Sequence, residues 1–116
     1  MLCASGTEDR IIRTVCSLVN ESDLFINHNR DRVKLTPELM LSKTRIREVI
    51  IGRQIVSHIL SNEYNYSLSK IGIVLGGLDH ATVLNSLGRF NEYIETDSEY
   101  RRLVERVSDR LKMGRG

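Results

Sequence analysis

A run of small, polar and ionisable side chains at residues 76–84 has the clearest chemical potential in this sequence. Two glycines are followed by Asp79, His80, Ala81 and Thr82, and then by apolar residues at helical spacing. This order is typical of a turn that leads into a helix. Short polar side chains at the start of a helix can reach base edges in the DNA major groove, which is about 12 Å wide and admits one helix. A helix N-terminus also favours phosphate, because it carries a partial positive charge.

A cationic group precedes this run in the chain. Residues 42–53 contain Lys43, Arg45, Arg47 and Arg53 but only one acid, Glu48, so their local charge of four minus one exceeds the net charge of +2 of the whole chain. Cations at the start of a helix oppose its dipole, and an anionic partner would offset that cost. The alternative interpretation is a solvated helix face with a snorkelling arginine.

The elements that must position these groups are helices, because apolar residues recur at spacings of three and four. The pattern predicts helices over residues 8–18, 42–61, 67–75, 79–94 and 97–113, and a short helical turn that begins at Thr36 and Pro37. The expected core positions of the two central helices are Ile46, Val49, Ile50, Ile55, Val56, Ile59 and Leu60, then Val83, Leu84, Leu87, Phe90 and Ile94. No strand-like alternation of useful length occurs, so the predicted fold class is an all-α helical bundle.

Capping residues divide the chain further. Thr7 is the expected first N-cap, residues 1–7 are expected to be disordered, and residues 21–35 read as a loop. Residues 8–113 form one predicted domain. Residues 67–93 read as a helix, a glycine-containing turn and a second helix, which is the order of a helix-turn-helix. An ordinary helical hairpin in a bundle would look similar, so this pattern alone leaves both interpretations open.

Composition excludes several other classes of function. The chain of 116 residues has the size of one domain, and Cys3 and Cys16 are too few for a disulfide scaffold. The three histidines lie far from each other and from both cysteines, so we expect no metal site. The sequence contains no phosphate-binding loop and no catalytic constellation, which predicts no enzyme, no cofactor and no small-molecule substrate. No apolar run approaches the roughly 20 residues needed to span a bilayer, so we expect no membrane contact and a cytoplasmic location.

Three motifs resemble one known family. The run Gly76-Gly77-Leu78-Asp79-His80-Ala81-Thr82-Val83-Leu84 is similar to the signature of the C-terminal DNA-binding domain of the bacterial replication initiator DnaA. Residues 41–45 resemble its basic loop, and Arg53-Gln54 matches an Arg-Gln pair in its long helix. The resemblance covers residues 36–93, and residues 36–94 are the motif-bearing part of the predicted domain. It implies a Trp-repressor-like helix-turn-helix domain that binds double-stranded DNA sequence-specifically, in connection with replication initiation or its control.

The resemblance also implies roles for individual residues. Asp79, His80 and Thr82 match residues that face the major groove, and Arg53 matches an arginine that enters the minor groove. Lys43 and Arg45 match residues near phosphate. Ala81 replaces a base-reading threonine, and its methyl group can still contact a thymine methyl.

Leu78 stands where the family has an arginine, and this difference allows functions other than that of the family. An exposed leucine beside the second helix would suit a protein groove. A protein-interaction module on the same scaffold, in which Leu78 and the acidic and basic C-terminal helix form the partner surface, is therefore an alternative. A transcription regulator that uses the same motif is another. Sequence alone leaves these alternatives open.

Overall fold

The structure is a computed structural model that describes residues 6–22 and 34–113. Within these residues it contains six helices and no strand: α1 Gly6–Glu21, α2 Pro37–Met40, α3 Arg47–Tyr64, α4 Leu68–Val74, α5 His80–Thr96 and α6 Ser98–Met113. The all-α prediction is confirmed. None of the described helices is both long enough and apolar enough to cross a membrane.

Helix α3 lies at the centre of the fold. It packs against α1, α2, α4 and α5, while α6 packs against α1 and α5. Val49, Ile55, Val56 and Leu60 of α3 are fully buried, as expected for a helix that contacts neighbours on several sides. This arrangement gives the first turn of α5 a rigid support.

The approach of α2 to α3 depends on Gly52. A Cβ atom at this position would lie 2.9 Å from Cε of Met40 and 3.0 Å from Cδ2 of Leu35. A side chain there would therefore require the ends of the Met40 and Leu35 side chains to shift. The close approach explains why a glycine occupies a helix interior, where it costs roughly 1 kcal/mol relative to alanine.

The predicted start of α3 at Ser42 is wrong. The helix begins at Arg47, with Ile46 as an N-cap that has no capping side-chain bond. The Ser42 hydroxyl instead donates to the carbonyl of Leu39 at 2.7 Å, at the end of α2. Lys43 and Arg45 consequently precede the helix and do not oppose its dipole, so the argument from helix-dipole cost does not apply to them.

Two expected core residues are on the surface. Ile50 is 39% exposed and Leu84 is 57% exposed, whereas the preceding residues, Val49 and Val83, are fully buried. Because each step along a helix turns the side chain by about 100°, the neighbour of an inward-facing residue can point to solvent. Leu87 and Ile94 are half-buried and Phe90 is buried, as their spacing predicts.

The beginning of the chain also differs from expectation. Helix α1 begins at Gly6, so Thr7 lies inside the helix and is not its N-cap. Residues 1–7 were expected to be disordered, but residues 6 and 7 belong to α1. The rest of this expectation falls on residues 1–5, which lie outside the described residues. Most of the expected loop over residues 21–35 also lies outside them, apart from Glu21 at the end of α1, Ser22 and residues 34–35.

Candidate nucleic-acid interface

The turn between α4 and α5 is built from glycines in the left-handed region. Gly76 has a φ of 92° and Gly77 a φ of 100°, a conformation that residues with a Cβ atom rarely adopt. The N–H groups of Gly77 and Leu78 donate to the carbonyl of Gly72 at 2.8 and 3.0 Å. The predicted helix end at this glycine pair is confirmed, and the bonds determine the angle at which the chain enters α5.

This turn touches a second part of the chain, which we call the basic segment (residues 41–46). A Cβ atom on Gly76 would lie 2.2 Å from the carbonyl oxygen of Leu41. No side chain fits in that space. The basic segment and the turn before α5 are therefore in direct backbone contact, although they are separated in sequence.

Asp79 is the N-cap of α5, as predicted. Its carboxylate accepts a hydrogen bond from the backbone N–H of Thr82 at 2.8 Å, and this bond holds the pKa of Asp79 below its ordinary value. His80, Ala81 and Thr82 follow in the first turn, and all three are exposed. The first turn of α5 thus presents an ionised cap, an imidazole, a methyl group and a hydroxyl to solvent.

The basic segment contributes exposed positive charge. The side chains of Lys43 and Arg45 are exposed, and neither makes an ion pair with any residue of 6–22 or 34–113. Arg47 is exposed in the first turn of α3. Lys43 and Arg45 are therefore available to a phosphate backbone without first losing an acidic partner within the described chain.

Arg53 behaves differently from these three residues. It is only 8% exposed, and burial lowers the pKa of its guanidinium. Its Nε donates to the carbonyl of Met40 at 2.9 Å and its Nη1 to the carbonyl of Thr44 at 3.1 Å. Its Nη2 donates to the carbonyl of Ser42. The insertion of Arg53 into a minor groove stays a prediction, and it would require these bonds to break.

A cleft of about 410 Å³ brings the two parts together. Its lining residues come from the basic segment, α3 and the first turns of α5: Arg45, Ile50, Arg53, Asp79, Ala81, Thr82, Asn85 and Ser86. Lys43, Arg47 and His80 do not line it. Five of the eight residues predicted to bind DNA therefore share one cleft.

Three of these lining residues, Ile50, Asn85 and Ser86, were not predicted to bind DNA. Asn85 and Ser86 lie four residues after Ala81 and Thr82, so helical spacing could have placed them on the same face of α5. Ile50 gave no such signal, because an isoleucine at that spacing normally belongs to the core. An asparagine here is chemically relevant, since its amide can bind the N6 and N7 positions of adenine.

Aromatic contacts hold α5 against its neighbours. The imidazole of His58 stacks on the ring of Phe90 with centroids 3.9 Å apart, and Tyr100 of α6 meets Phe90 edge to face at 5.7 Å. The Tyr100 hydroxyl donates to Oε1 of Gln54 at 2.9 Å. Burial lowers the pKa of His58, so this ring favours its neutral form. The contacts attach the body of α5 to α3 and α6 and leave its first turn exposed.

Comparison with known proteins matches this chain to one protein family. The family model described as the bacterial dnaA protein helix-turn-helix matches residues 26–89, which is more than half of the chain. The chain belongs to this DnaA helix-turn-helix family. Helices α2 to α4, the basic segment and the first turns of α5 all lie inside the matched range.

Curated relatives carry the same name. The chain is 32% identical to the chromosomal replication initiator protein DnaA of Gloeobacter violaceus, over 91% of the chain and 21% of the relative. It is 38% identical to the DnaA protein of Chloroflexus aggregans, over 68% of the chain and 16% of the relative. The chain thus spans about a fifth or less of the length of these two relatives.

Other kinds of site receive no support from the described residues. Among residues 6–22 and 34–113, no group of three or more His, Cys, Asp or Glu side chains is placed to hold a metal ion. Cys16 is buried, and burial raises the pKa of its thiol to about 12. A thiol of this pKa has almost no thiolate at neutral pH and is a poor nucleophile.

Proposed function

We propose that the chain is a sequence-specific double-stranded DNA-binding domain. The first turn of α5 enters the major groove, and the basic segment lies on the flanking sugar-phosphate backbone. The observation that carries this proposal is the shared cleft, whose lining includes Arg45 together with Asp79, Ala81 and Thr82. A base-reading helix beside an exposed cation is the arrangement that helix-turn-helix proteins use on DNA.

The chemistry of the two parts is complementary. Lys43, Arg45 and Arg47 supply the phosphate contacts that give affinity and orientation but carry no sequence information. His80, Ala81, Thr82 and Asn85 are exposed on or near the first turn of α5, where hydrogen bonds and methyl contacts distinguish base pairs. Affinity and specificity would therefore reside in different segments.

The biological setting is a further part of the proposal. The relatives are named chromosomal replication initiator proteins, so we infer that DNA binding by this chain serves replication initiation or its control. A transcription regulator with the same interface is the alternative. The positions of the selected binding sites distinguish them, because origin clusters support the first and promoter sites the second.

The protein-interaction alternative loses its main support. It depended on an exposed Leu78, but this side chain is half-buried and packs against the hydrophobic core. Most of the surface of the Leu78 side chain is therefore not accessible to a partner protein. The expectations that the chain has no enzymatic activity, takes no cofactor and acts in the cytoplasm stay predictions.

Selection from random duplex DNA, followed by titration of the selected site, tests the proposed function. If Lys43, Arg45 and Arg47 each neutralise a phosphate, log K should fall with log salt at a slope of about −3. A scrambled duplex is the control, and its affinity should be weaker at every salt concentration. Failure to bind any duplex at low salt would reject DNA binding.

A further inference from the structure

We propose that Arg53 is a positioning residue, which holds the basic segment at a set distance from the start of α5 and does not itself enter DNA. This inference deepens the proposed function and rests on it for its DNA-binding consequences. Its structural part, the control of the basic segment by Arg53, concerns the free protein and can be tested without DNA.

The hydrogen bonds of Arg53 have the geometry that such a role requires. Its three guanidinium nitrogens bond to the carbonyls of Met40, Ser42 and Thr44, at alternate positions along the chain. Only arginine has a planar fork with five N–H donors that can reach several acceptors at once. One buried side chain thus fixes five consecutive residues of backbone, from the end of α2 into the basic segment.

The bonds turn backbone carbonyls toward α3 and leave the cations outside. Ser42 and Thr44 are half-buried, whereas the residues that follow each of them, Lys43 and Arg45, are exposed. The basic segment therefore presents its positive side chains to solvent while its carbonyls are bound to a positive charge. This removes negative backbone dipoles from the side where phosphate would bind.

The same stretch of backbone touches the turn before α5. The carbonyl of Leu41 lies against Gly76, and Met40 packs against Gly52, the residue before Arg53. A buried helix, the basic segment and the helix-turn-helix turn are consequently linked through direct contacts. Movement of the basic segment would change the distance between Arg45 and the base-reading turn.

Direct insertion of Arg53 into a groove would have a clear cost. It would break three hydrogen bonds to a charged group, each of which is worth more than a neutral one. It would also remove the donor from the carbonyls of Met40, Ser42 and Thr44, and buried polar groups without partners are strongly unfavourable. Arg45 is already exposed in the same cleft and can reach DNA without such a loss.

Amide hydrogen exchange in the free protein tests the structural part. The N–H of Leu41 donates to the carbonyl of Pro37, and the N–H of Ser42 donates to that of Leu39. In Arg53→Gln and Arg53→Lys, we expect these two amides to exchange at least about tenfold faster. Amides in the middle of α5 should keep their protection. Unchanged exchange rates at Leu41 and Ser42 in Arg53→Lys would overturn the proposal. This variant alone decides the test if Arg53→Gln fails to fold.

A double-mutant cycle on the selected DNA site tests the functional part. We expect Arg45→Gln to weaken binding about tenfold in the parent chain but less than about twofold when Arg53 is already lysine, because the basic segment no longer holds position 45 in place. Arg102→Gln on α6, an exposed arginine paired with Glu99, is the matched control and should be additive with Arg53→Lys.

The outcomes separate the two proposals. If Arg53→Lys binds DNA as the parent does, or if its effect adds to that of Arg45→Gln, Arg53 acts as a simple cation and the positioning role is rejected. If the parent chain binds no duplex, the proposed function fails, and the exchange rates at Leu41 and Ser42 still decide whether Arg53 holds the basic segment.

Discussion

The arginines of α6 and the cations of the basic segment differ in what surrounds them. On α6, Arg102 pairs with Glu99 at 3.0 Å and Arg106 pairs with Glu21 of α1 at 3.1 Å. Arg101 donates to the carbonyls of Ile94 and Glu95. In the basic segment, Lys43 and Arg45 have no ion-pair partner among the described residues.

This difference shows why a count of basic residues does not locate an anion-binding surface. On α6, Arg102 pairs with Glu99 one helical turn away, and Arg106 pairs with Glu21 of the adjacent helix α1. The basic segment is not helical, and such pairing is not available along it. Exposed pairs add little stability, but they reduce the attraction of a cation for phosphate. The distribution of acidic partners, more than the number of arginines, distinguishes the two regions.

The largest expected effect comes from the turn that places the basic segment beside α5. Gly76→Ala should destabilise the fold by roughly 3 kcal/mol, because the new Cβ would be strained at positive φ and would overlap the carbonyl of Leu41. Thermal or urea unfolding measures this loss. Gly88→Ala on α5 is the control, since a Cβ there meets nothing within 4 Å, and it should be neutral or slightly stabilising. Equal losses of stability in Gly76→Ala and Gly88→Ala would contradict the close contact between Gly76 and Leu41.

The comparison of the two cationic regions can be tested directly. The double variant Lys43→Gln with Arg45→Gln should lose DNA affinity by roughly a hundredfold at low salt, with a shallower salt dependence. The matched double variant on α6, Arg102→Gln with Arg106→Gln, removes the same charge and should bind nearly as the parent does. Fluorescence anisotropy with the selected duplex measures both. A similar loss in the two variants would mean that only net charge matters.

Two neighbouring residues of the interface should differ in the kind of effect they have. His80→Ala should reduce discrimination between the selected and a scrambled duplex by roughly 1–3 kcal/mol and leave unfolding nearly unchanged. Asp79→Ala should in addition lower the melting temperature, because its carboxylate caps α5. Paired unfolding and affinity measurements separate these effects. If His80→Ala unfolds the protein but keeps specificity, the histidine has a structural role.

The smallest expected effect lies behind the interface, where α5 is supported. Because burial lowers the pKa of His58 in the folded state, the unfolded chain binds a proton there more readily. The contribution of neutral His58 is therefore complete above its ordinary pKa of about 6.5 and is lost as the pH falls below that value. His58→Phe should unfold with a weaker pH dependence between pH 7.5 and 5.5. If His58→Phe and the parent chain show the same pH dependence of unfolding, groups other than His58 determine it.

The bounds of α4 and α5 and the glycine turn between them could be predicted from the sequence because local bonds determine them. Ser67 accepts from the N–H of Lys70, and Asp79 accepts from that of Thr82, each within three residues. The left-handed conformation of Gly76 and Gly77 is likewise a property of the residue type. Short-range chemistry of this kind is visible in the order of residues, and the predicted bounds of α4 and α5 were close to those observed.

The packing of individual side chains could not be predicted in the same way. The partners of Arg53 lie 9 to 13 residues away, and helical spacing gave no sign of them. Ile50 and Leu84 have the residue type and spacing of core positions, yet they are exposed. Leu78, expected on the surface, is half-buried. Each outcome depends on which elements meet in space.

The sequence by itself determined the helical class, the caps at Ser67 and Asp79 and the glycine turn, because these follow from bonds between near neighbours and from backbone sterics. Only the tertiary structure decided that Arg53 binds the backbone of the basic segment, that Arg45 shares a cleft with the first turn of α5, and that Arg106 of α6 pairs with Glu21 of α1. These facts depend on distances between segments that are far apart in the chain, and such distances are set by the packing of whole helices around α3.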